Sequence, residues 1–450
     1  MLPVTDDVKL SYMRDGSHKD LHIDIANGGF SFYNNSIVQG SFSIEESILS
    51  GDSLEFVGCI ASKLEVTIHA AYRSANIKGR NIRAAIKIEN SDEWIQVFHG
   101  VVDSCVKEAN KDFLKITAYD KLYSLSEVDV TDWCNSHLSY GSIAGLARDL
   151  LNYLGLNYVG DTELINGGVS VPSSKPFMVR EMSALGLLKQ ICQINACYGI
   201  INRDGVFEFR YIDTTPSSNG TFPSNNLYPE NELFPGQGYT RINSNYFEFY
   251  KKLAYEDFTI EPINVVIIRE NESDPGVKYE QIYGSHNKYI IQGNIFARYK
   301  DTSILSGMAQ RIFNKIHPIT FVPFTSDNNG SPFLECGDEV IYKDNTSITP
   351  YKQEQHFFIF SRKLSGDQIL RDAYKAEGNE TQHIFLSSLG ANVEDYSQEI
   401  SDLNDKTDDL EDRVSALEEG GASDIVSVQQ MPADPEPNVL YLIQGEIVIL

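Results

Sequence analysis

The sequence predicts a mainly β protein of the α+β class, in which two β-rich regions flank an α/β insert. Three observations lead to this prediction. Short runs of alternating apolar and polar residues occur on both sides of a helical stretch, and a heptad repeat lies near the C-terminus. We predict a first β region at 1–124, an α/β insert at 125–235, a second β region at 236–378, a linker at 379–390, a parallel coiled coil at 391–420 and a C-terminal β segment at 421–450.

The first β region contains many short strands bounded by turn residues such as Asn27-Gly28-Gly29 and Ser50-Gly51-Asp52. Apolar residues alternate with polar ones in each strand, as expected where one face of a sheet is buried. Short strands at regular spacing predict a small barrel or sandwich. The predicted strands include Leu21–Ile25, Ser41–Ile44, Lys63–Ile68, Ala85–Ile88, Trp94–Val102 and Phe113–Asp120.

The insert has apolar residues at helical spacing. One helix is predicted from Ser142 to Leu154, with Ser142 as its N-cap and Gly155 after its end. A second helix is predicted at Glu181–Asn195, followed by a hairpin around the turn Asn202–Gly205. The insert is therefore predicted to be a helical unit with one small hairpin.

The second β region contains one predicted helix, Thr302–Ile316, which Pro318 stops. Strands are predicted at Glu339–Tyr342 and His356–Phe360. After three prolines near the C-terminus, residues Val439–Leu450 alternate in two short runs separated by Gln444-Gly445. These last residues predict a small β-hairpin that would bury little surface alone.

The coiled coil is predicted from the heptad pattern between Val393 and Glu419. Seven of the eight seam positions are apolar or aromatic, and Thr407 is the polar exception. The a positions are Val393, Ile400, Thr407 and Val414, and the d positions are Tyr396, Leu403, Leu410 and Leu417. Basic residues at g precede acidic residues at the following e, a spacing that pairs charges across parallel helices: Lys406 with Glu411, and Arg413 with Glu418.

The coiled coil indicates a parallel homo-oligomer, whose interface these twelve side chains would form. A single acidic amphipathic helix docked on its own domain is the alternative reading. Valine or isoleucine at a with leucine at d favours dimers in model peptides, so the seam alone does not choose between a dimer and a trimer.

Composition excludes several classes of protein. The formal net charge of the 450 residues is −26, without a basic block, which argues against sequence-specific or phosphate-gripping binding of nucleic acid. No apolar run approaches the length of a membrane span, and we expect folding in the cytoplasm of the producing cell. Six cysteines without a C-x-x-C pair predict free, mostly buried thiols.

No motif for catalysis or cofactor binding is present. The sequence has neither a common phosphate-binding glycine loop nor the metalloprotease and nucleophile-elbow motifs. His18, His22 and Asp24 lie close together in sequence, but a metal site would need a further ligand. We therefore predict no enzyme activity, no cofactor and no metal.

Several stretches together resemble a known family: the hub protein at the tail tip or baseplate of long-tailed bacteriophages, including the N-terminal hub module of tail-associated lysins and prophage endopeptidase-tail proteins. No single stretch is specific, and their order along residues 20–378 carries the resemblance. The stretches are His99–Val102, Leu114–Asp120, Cys197–Gly205, Asn287–Asn294, Leu334–Val340, Ser361–Gly366 and Ala376–Gly378.

The resemblance implies two related β-barrel hub domains per subunit and a homotrimer, which together make a pseudo-hexameric ring. Such a ring joins the six-fold tail tube to three-fold tip parts during host attachment and DNA delivery. The implied partners are the tail tube and distal tail proteins above, a tail fibre, spike or central tip protein below, and the tape measure protein in the lumen. The implied location is the tail tip or baseplate of the virion, assembled in the cytoplasm of the host bacterium.

Two alternatives remain from the sequence. One is a tail-associated peptidoglycan hydrolase with its chemistry in the insert, although this chain leads to a coiled coil where many relatives continue into a cell-wall-cleaving domain. The other is a receptor- or glycan-binding tail protein that uses the coiled coil and terminal hairpin as stalk and head.

Overall fold

The structure of the protein is a computed structural model. It describes residues 8, 11–12, 18–27, 29–49, 58–69, 76–88, 92–107, 112–139, 141–160, 164–212, 246–247, 251–280, 287–343, 354–389, 392–395, 425–428, 440–443 and 446–448. The chain divides into two compact units, Met1–Ser174 with Val179–Asn392, and Lys175–Met178 with Val393–Leu450.

The first β region forms antiparallel strands where alternation predicts them. In β4 the side chains of Leu64, Val66 and Ile68 are buried, whereas Lys63 and Glu65 form an ion pair of 3.0 Å on the other face. The strands pair in the order β3-β4-β7-β6-β5-β1-β2. They are β1 (Lys19–Ile25), β2 (Phe30–Tyr33), β3 (Ser43–Ser47), β4 (Lys63–His69), β5 (Asn81–Ile88), β6 (Ile95–Lys107) and β7 (Phe113–Tyr119).

Helices dominate the insert. The predicted first helix is confirmed: Ser142 caps it by accepting a hydrogen bond from the Gly145 N–H at 3.2 Å, and Gly155 follows it with a φ of +62°. The second helix begins three residues later than predicted, because Ser183 caps it by accepting from the Gly186 N–H at 3.0 Å. The helices are α1 (Lys121–Leu125), α2 (Thr131–His137), α3 (Ile143–Tyr153) and α4 (Ala184–Asn195).

The strands described in the insert include the predicted hairpin. Its two strands pair antiparallel around the turn at Asn202–Gly205, where Gly205 has a φ of +80°. The Asn202 N–H donates to the Val206 carbonyl at 2.9 Å and closes the turn. The strands of the insert are β8 (Phe177–Glu181), β9 (Tyr198–Ile201) and β10 (Phe207–Arg210).

The second β region supplies strands to three sheets. Its helix α5 (Thr302–Ile316) matches the prediction and buries Met308, Ile312 and Phe313 among other apolar residues. The strands are β11 (Tyr246–Phe247), β12 (Lys252–Tyr255), β13 (Val265–Arg269), β14 (Val277–Glu280), β15 (Lys288–Gln292), β16 (Phe324–Asn329), β17 (Glu339–Lys343), β18 (Glu354–Phe358), β19 (Ser361–Ser365) and β20 (Arg371–Ala376).

The two β regions share one sheet. Strand β19 of the second region pairs antiparallel with β3 of the first, so the strand order is β12-β16-β20-β19-β3-β4-β7-β6-β5-β1-β2. The prediction of two barrels needs correction here, because no closed barrel is formed by the strands that the structure describes, and the eleven-stranded sheet runs from edge strand β12 to edge strand β2. Alternation identifies a strand but does not identify a partner some 300 residues away.

A mixed four-stranded sheet belongs to the same compact unit as the long sheet. Its order is β14-β13-β15-β21, where β21 (Ile384–Ser388) pairs in parallel with β15. The residues of β21 fall within 379–390, the stretch predicted as a linker, so this stretch contains a strand. Along β21, Phe385 is buried whereas Ile384 and Leu386 on either side of it are exposed, so one face of the strand is turned inward.

A three-stranded sheet of β11, β17 and β18 completes the second region. Phe324, Tyr342 and Phe357 pack their rings together, with centroid distances of 4.4 Å between Phe324 and Phe357 and 5.7 Å between Tyr342 and Phe357. The buried Tyr342 hydroxyl hydrogen bonds to Ser326 at 2.8 Å and to Asn328 at 3.0 Å. Its polar end is therefore satisfied within an aromatic core.

The smaller unit contains the predicted C-terminal hairpin. Strands β24 (Leu440–Ile443) and β25 (Glu446–Val448) pair antiparallel, and β23 (Ile425–Val428) pairs in parallel with β24. Strand β22 spans Asn392–Asp395, so the predicted coiled coil at 391–420 begins with an extended segment. The remainder of the predicted coil lies outside the described residues.

All six cysteines are free, as predicted, and five are buried. The Sγ atoms of Cys59 and Cys192 lie 3.5 Å apart. Hydrogen bonding to Cys192 and burial raise the pKa of the Cys59 thiol well above its ordinary value. These two sulfurs therefore remain protonated thiols at neutral pH and act as small apolar core groups.

Candidate functional site

The site that joins the parts of this protein is a cluster of buried charges around Arg362. On β19, Arg362 lies directly opposite Glu46 of β3. Its guanidinium binds Asp372 through two hydrogen bonds, from Nε at 2.9 Å and from Nη2 at 2.8 Å, and reaches Glu46 Oε2 at 3.1 Å. The same group donates to the carbonyls of Ser331 and Leu334. All the donors of one buried arginine are thereby used.

Asp372 is equally well satisfied. Its side chain is fully buried, and Oδ2 accepts from the Tyr374 hydroxyl at 2.9 Å and from the Ser331 N–H at 3.1 Å. Burial opposes the charged form of Arg362, but Asp372 and Glu46 outweigh it and raise the pKa of Arg362 well above its ordinary value. The guanidinium of Arg362 therefore stays charged inside the protein, where Asp372 holds it by two parallel hydrogen bonds.

Arg203 brings the hairpin of the insert to the same place. It lies in the turn between β9 and β10, and its guanidinium donates to the carbonyls of Pro332 and Leu334. The Nη2 atom is 3.8 Å from Glu46 Oε2, and Nε is 3.6 Å from Glu335 Oε1. Glu46 thus lies between two guanidiniums, one from the insert and one from the second β region.

Arg210 closes the cluster at the end of β10. Its Nη1 lies 3.1 Å from Glu335 Oε2, and its Nη2 binds Glu208 on the same strand. Burial by itself would raise the pKa of Glu335, but Arg203 and Arg210 outweigh that effect and lower the pKa to about 2. Glu335 is therefore charged at every physiological pH.

The cluster draws on three parts of the chain. Glu46 comes from the first β region, Arg203 and Arg210 from the insert, and Arg362 and Asp372 from the second β region. Three guanidiniums face four carboxylates when Glu208 and Glu335 are included, so most of the charge is compensated. Because each carboxylate binds a guanidinium, the cluster is suited to fixing three regions in one arrangement rather than to acid–base chemistry.

Two glycines allow the close approach of backbone and side chain at this junction. A Cβ on Gly205 would lie 2.0 Å from Nδ1 of His99 in the first β region. A Cβ on Gly337 would lie 2.1 Å from the hydroxyl of Tyr198 in the insert. Both glycines have positive φ, +80° and +92°, which larger residues seldom adopt.

A second junction, made of amides, fixes α4 against the mixed sheet. Asn294 Nδ2 donates to the Gln190 carbonyl at 2.8 Å and to Gln193 Oε1 at 2.7 Å. Gln190 Oε1 accepts from the Ile295 N–H at 3.1 Å, and Gln193 Nε2 donates to the Ser387 carbonyl at 3.0 Å. A buried polar network of this kind specifies one packing arrangement, because a shifted arrangement would leave its amides without partners.

Most of the interface residues predicted from the heptad lie outside the described residues. These are Tyr396, Ile400, Leu403, Lys406, Thr407, Leu410, Glu411, Arg413, Val414, Leu417 and Glu418. Val393 is described at the backbone level only, within strand β22.

The sequence prediction missed the charged cluster, although signals for it were present. Arg203, Glu335 and Arg362 lie in three of the stretches that carry the family resemblance. Arg362 also lies two residues before the buried Leu364, so both side chains are on the same face of the strand. An arginine on the apolar side of a strand is therefore the feature that points to a buried ion pair.

In the part of the chain that the structure describes, no group of histidine, cysteine and acidic side chains is arranged to hold a metal ion. Among those same residues, no helix is both long enough and apolar enough to cross a membrane.

No family model matches the sequence, and no curated protein matches it. The structure is similar to a 43 kDa tail protein of prophage MuSo2 from Shewanella oneidensis, with a TM-score of 0.45, 13% identity, and coverage of 80% of this chain and 98% of that chain. It is similar to a tail protein from Neisseria meningitidis MC58 (TM-score 0.43, 11% identity, coverage 80% and 96%). It is also similar to prophage tail protein gp18 from Listeria monocytogenes EGD-e (TM-score 0.42, 10% identity, coverage 81% and 95%).

Proposed function

We propose that this chain is a structural hub protein at the tail tip or baseplate of a long-tailed phage, or of a related contractile injection machine. Three copies form a pseudo-hexameric ring that joins the six-fold tail tube to three-fold tip parts. In this role the chain contacts the tail tube and distal tail proteins on one side and a fibre, spike or central tip protein on the other, with the tape measure protein in the lumen.

The observation that supports this proposal most is the pairing of β3 with β19, clamped by Arg362 and Glu46. A trimer can match a six-fold partner if each of its subunits offers two β regions in a fixed mutual arrangement. A continuous backbone ladder and a buried ion pair provide such an arrangement, because displacing either region would break both. Three copies then offer six β regions around one axis.

The heptad repeat supports the oligomeric part of the proposal. Its narrow apolar seam and its g-to-e charge pairs are typical of parallel coiled coils, which extend along a symmetry axis. In the proposed trimer the predicted coil at 391–420 lies on the symmetry axis, and the C-terminal β segment at 421–450 follows it in the sequence.

The experiment that tests the proposed place is labelling of this subunit in the assembled particle. Particles from an induced host lysate are decorated with an antibody raised against the purified protein and imaged by negative-stain electron microscopy. Label confined to the distal end of the tail supports the proposal. Label along the tube or on the head, or particles without any label, contradicts it.

A non-enzymatic role forms part of the same proposal. Each carboxylate in the buried cluster is already bound to a guanidinium, so none is available as a general acid or base. We expect purified protein to leave cell-wall material intact in a turbidity assay and in a zymogram. Clearing of the cell wall by this chain would favour the hydrolase alternative.

A further inference from the structure

A cavity of about 550 Å³ opens beside strands β1, β2 and β5, at the edge of the long sheet. None of the described residues that line it belongs to the buried charge cluster. Its volume falls within the range of small-molecule sites, roughly 300–1,000 Å³. Two aromatic side chains, Tyr33 and Trp94, line it together with the polar side chains of Asp20, Asn35 and Gln368.

The aromatic side chains are exposed and held in place. Tyr33 is 50% exposed and Trp94 is 39% exposed, which is unusual for rings of their size. The imidazole of His22 stacks on Tyr33 with a centroid distance of 4.5 Å and meets Trp94 edge to face at 5.7 Å. Because His22 supports both rings, a ligand that binds them costs little side-chain entropy.

The polar groups of the cavity are of the kinds that bind hydroxyl groups. Asp20 offers carboxylate oxygens as acceptors, and the side-chain amides of Asn35 and Gln368 offer both donors and acceptors. The neighbouring Asn34 is used to build the floor, because its amide accepts from the Leu21 N–H at 2.8 Å and donates to the Lys19 carbonyl at 3.0 Å.

The lysine of the cavity is poorly placed to bind a phosphate-bearing ligand. Lys87 is the lysine in its lining, and its Nζ lies 3.9 Å from Asp20 Oδ2 and 5.1 Å from the centroid of the Trp94 ring. The ammonium is thus already compensated by a carboxylate and an aromatic face. An apolar peptide would fit poorly as well, since it would desolvate Asp20 without replacing its hydrogen bonds.

We propose that this cavity is a binding site for a neutral saccharide. A pyranose ring has apolar C–H faces and a rim of hydroxyl groups, so it can pack against the exposed parts of the Trp94 and Tyr33 rings while its hydroxyls donate to Asp20 and exchange hydrogen bonds with Asn35 and Gln368. Saccharide binding in this cavity does not depend on the proposed place of the protein in a tail.

The test uses the full chain and its two tryptophans, Trp94 and Trp133. Trp133 stacks on His137 at 4.0 Å, outside the cavity, so the Trp133→Phe variant leaves Trp94 as the lone tryptophan. This variant is titrated with chitotriose, cellotriose and maltotriose while Trp94 fluorescence is followed. We expect a saturable change in emission with at least one of the three, and a loss of about tenfold in affinity when Tyr33→Ala is added.

A matched control is Tyr123→Ala, added to the same background. Tyr123 is 47% exposed and stacks on Tyr119 at 4.1 Å. The Tyr123→Ala variant therefore loses a comparable exposed ring that is outside the cavity lining. Isothermal titration calorimetry on Gln368→Ala, which removes one exposed polar group, gives a second readout and is expected to show several-fold weaker binding.

Three results would overturn the proposal. One is the absence of a saturable response to all three sugars. Another is an equal loss of affinity in Tyr33→Ala and Tyr123→Ala. The third is a saturable response to AMP or inorganic phosphate with none to the sugars, which would assign the cavity to an anionic ligand.

Discussion

At the scale of single residues, Arg362 is the side chain on which the arrangement of the two β regions depends. Its side chain is 2% exposed, yet it carries a full positive charge that is paired with the carboxylates of Asp372 and Glu46. A buried pair of this kind adds little net stability compared with well-packed apolar residues. Removing only one member of such a pair is costly, because the other charged group stays buried without its partner.

Replacement of Arg362 by methionine is expected to destabilise the protein by about 3–5 kcal/mol, since Asp372 would remain buried without its bidentate partner. Urea unfolding followed by circular dichroism measures the change. The matched control is Lys363→Met on the same strand, whose ion pair with Glu45 is exposed and is expected to contribute at most about 1 kcal/mol. Equal midpoints for both variants would contradict the role assigned to Arg362.

Asp120 predicts a pH dependence. It accepts from the N–H groups of Ser62 and Leu122, both at 2.8 Å, but burial outweighs these bonds and raises its pKa to about 7. Because the folded-state pKa lies above the unfolded value of 3.8, the folded chain retains the proton while the unfolded chain loses it. The stability contributed by the protonated group is therefore full below pH 3.8 and is lost progressively as the pH rises to about 7.

The urea midpoint of the wild-type chain is expected to fall as the pH is raised from 4.5 to 7.5. Asp120→Asn, which cannot ionise, should show a flatter profile over the same range. Parallel profiles for the two proteins would show that Asp120 titrates at an ordinary pKa.

At the scale of elements, the β9–β10 hairpin connects the insert to both β regions. Its turn carries Arg203 into the charge cluster and sets Gly205 against His99. The hairpin is recognisable locally, because the residues of its turn are typical of tight turns and its flanks alternate. The site where the hairpin docks cannot be recognised locally, since His99 and Leu334 lie far from the hairpin in sequence.

Replacement of Gly205 by alanine is expected to destabilise the protein by more than the same change at Gly79. Both glycines have similar positive φ values, +80° and +76°, so both variants incur the left-handed strain of about 1–2 kcal/mol. A Cβ at Gly79 has open space, whereas one at Gly205 meets the His99 ring and adds roughly 1–3 kcal/mol. Thermal unfolding compares the two, and similar losses would mean that the hairpin is not packed as described.

The elements show what sequence patterns can and cannot predict. Alternation located β4 and β7, and side-chain capping located α3, because these signals are local. Alternation could not show that β3 and β19 are neighbours, nor that β21 adds to a sheet, because strand pairing depends on distant parts of the chain. From the sequence alone, the charged residues of the cluster look like surface residues, because their partners are distant in the chain.

At the scale of the whole molecule, the proposed trimer should have a mass of three times 50.5 kDa in solution. We expect light scattering coupled to size-exclusion chromatography to give this value at micromolar concentration. A monomer would contradict both the heptad prediction and the proposed ring, and a dimer would contradict the ring alone.

The β regions, rather than the coil, are expected to hold the trimer together. The predicted coil has fewer than four heptads, and its flanks are strongly acidic apart from Lys406 and Arg413. The full chain with Leu410→Asp is therefore expected to stay trimeric in the same measurement, as should Asp409→Asn as a control outside the seam. Dissociation caused by Leu410→Asp would show that the coil is the main determinant of assembly.

The long sheet has a consequence for how the chain folds as it is synthesised. Strand β3 is completed near the start of translation, but β19 leaves the ribosome more than 300 residues later. Until then, β3 has an unpaired edge, and Glu46 has no arginine from the second β region beside it. Contacts of such long range make folding slow and leave strand edges open to wrong partners. The newly made chain is therefore most vulnerable to aggregation before residue 365 has emerged, and its yield should depend on chaperones that shield this edge.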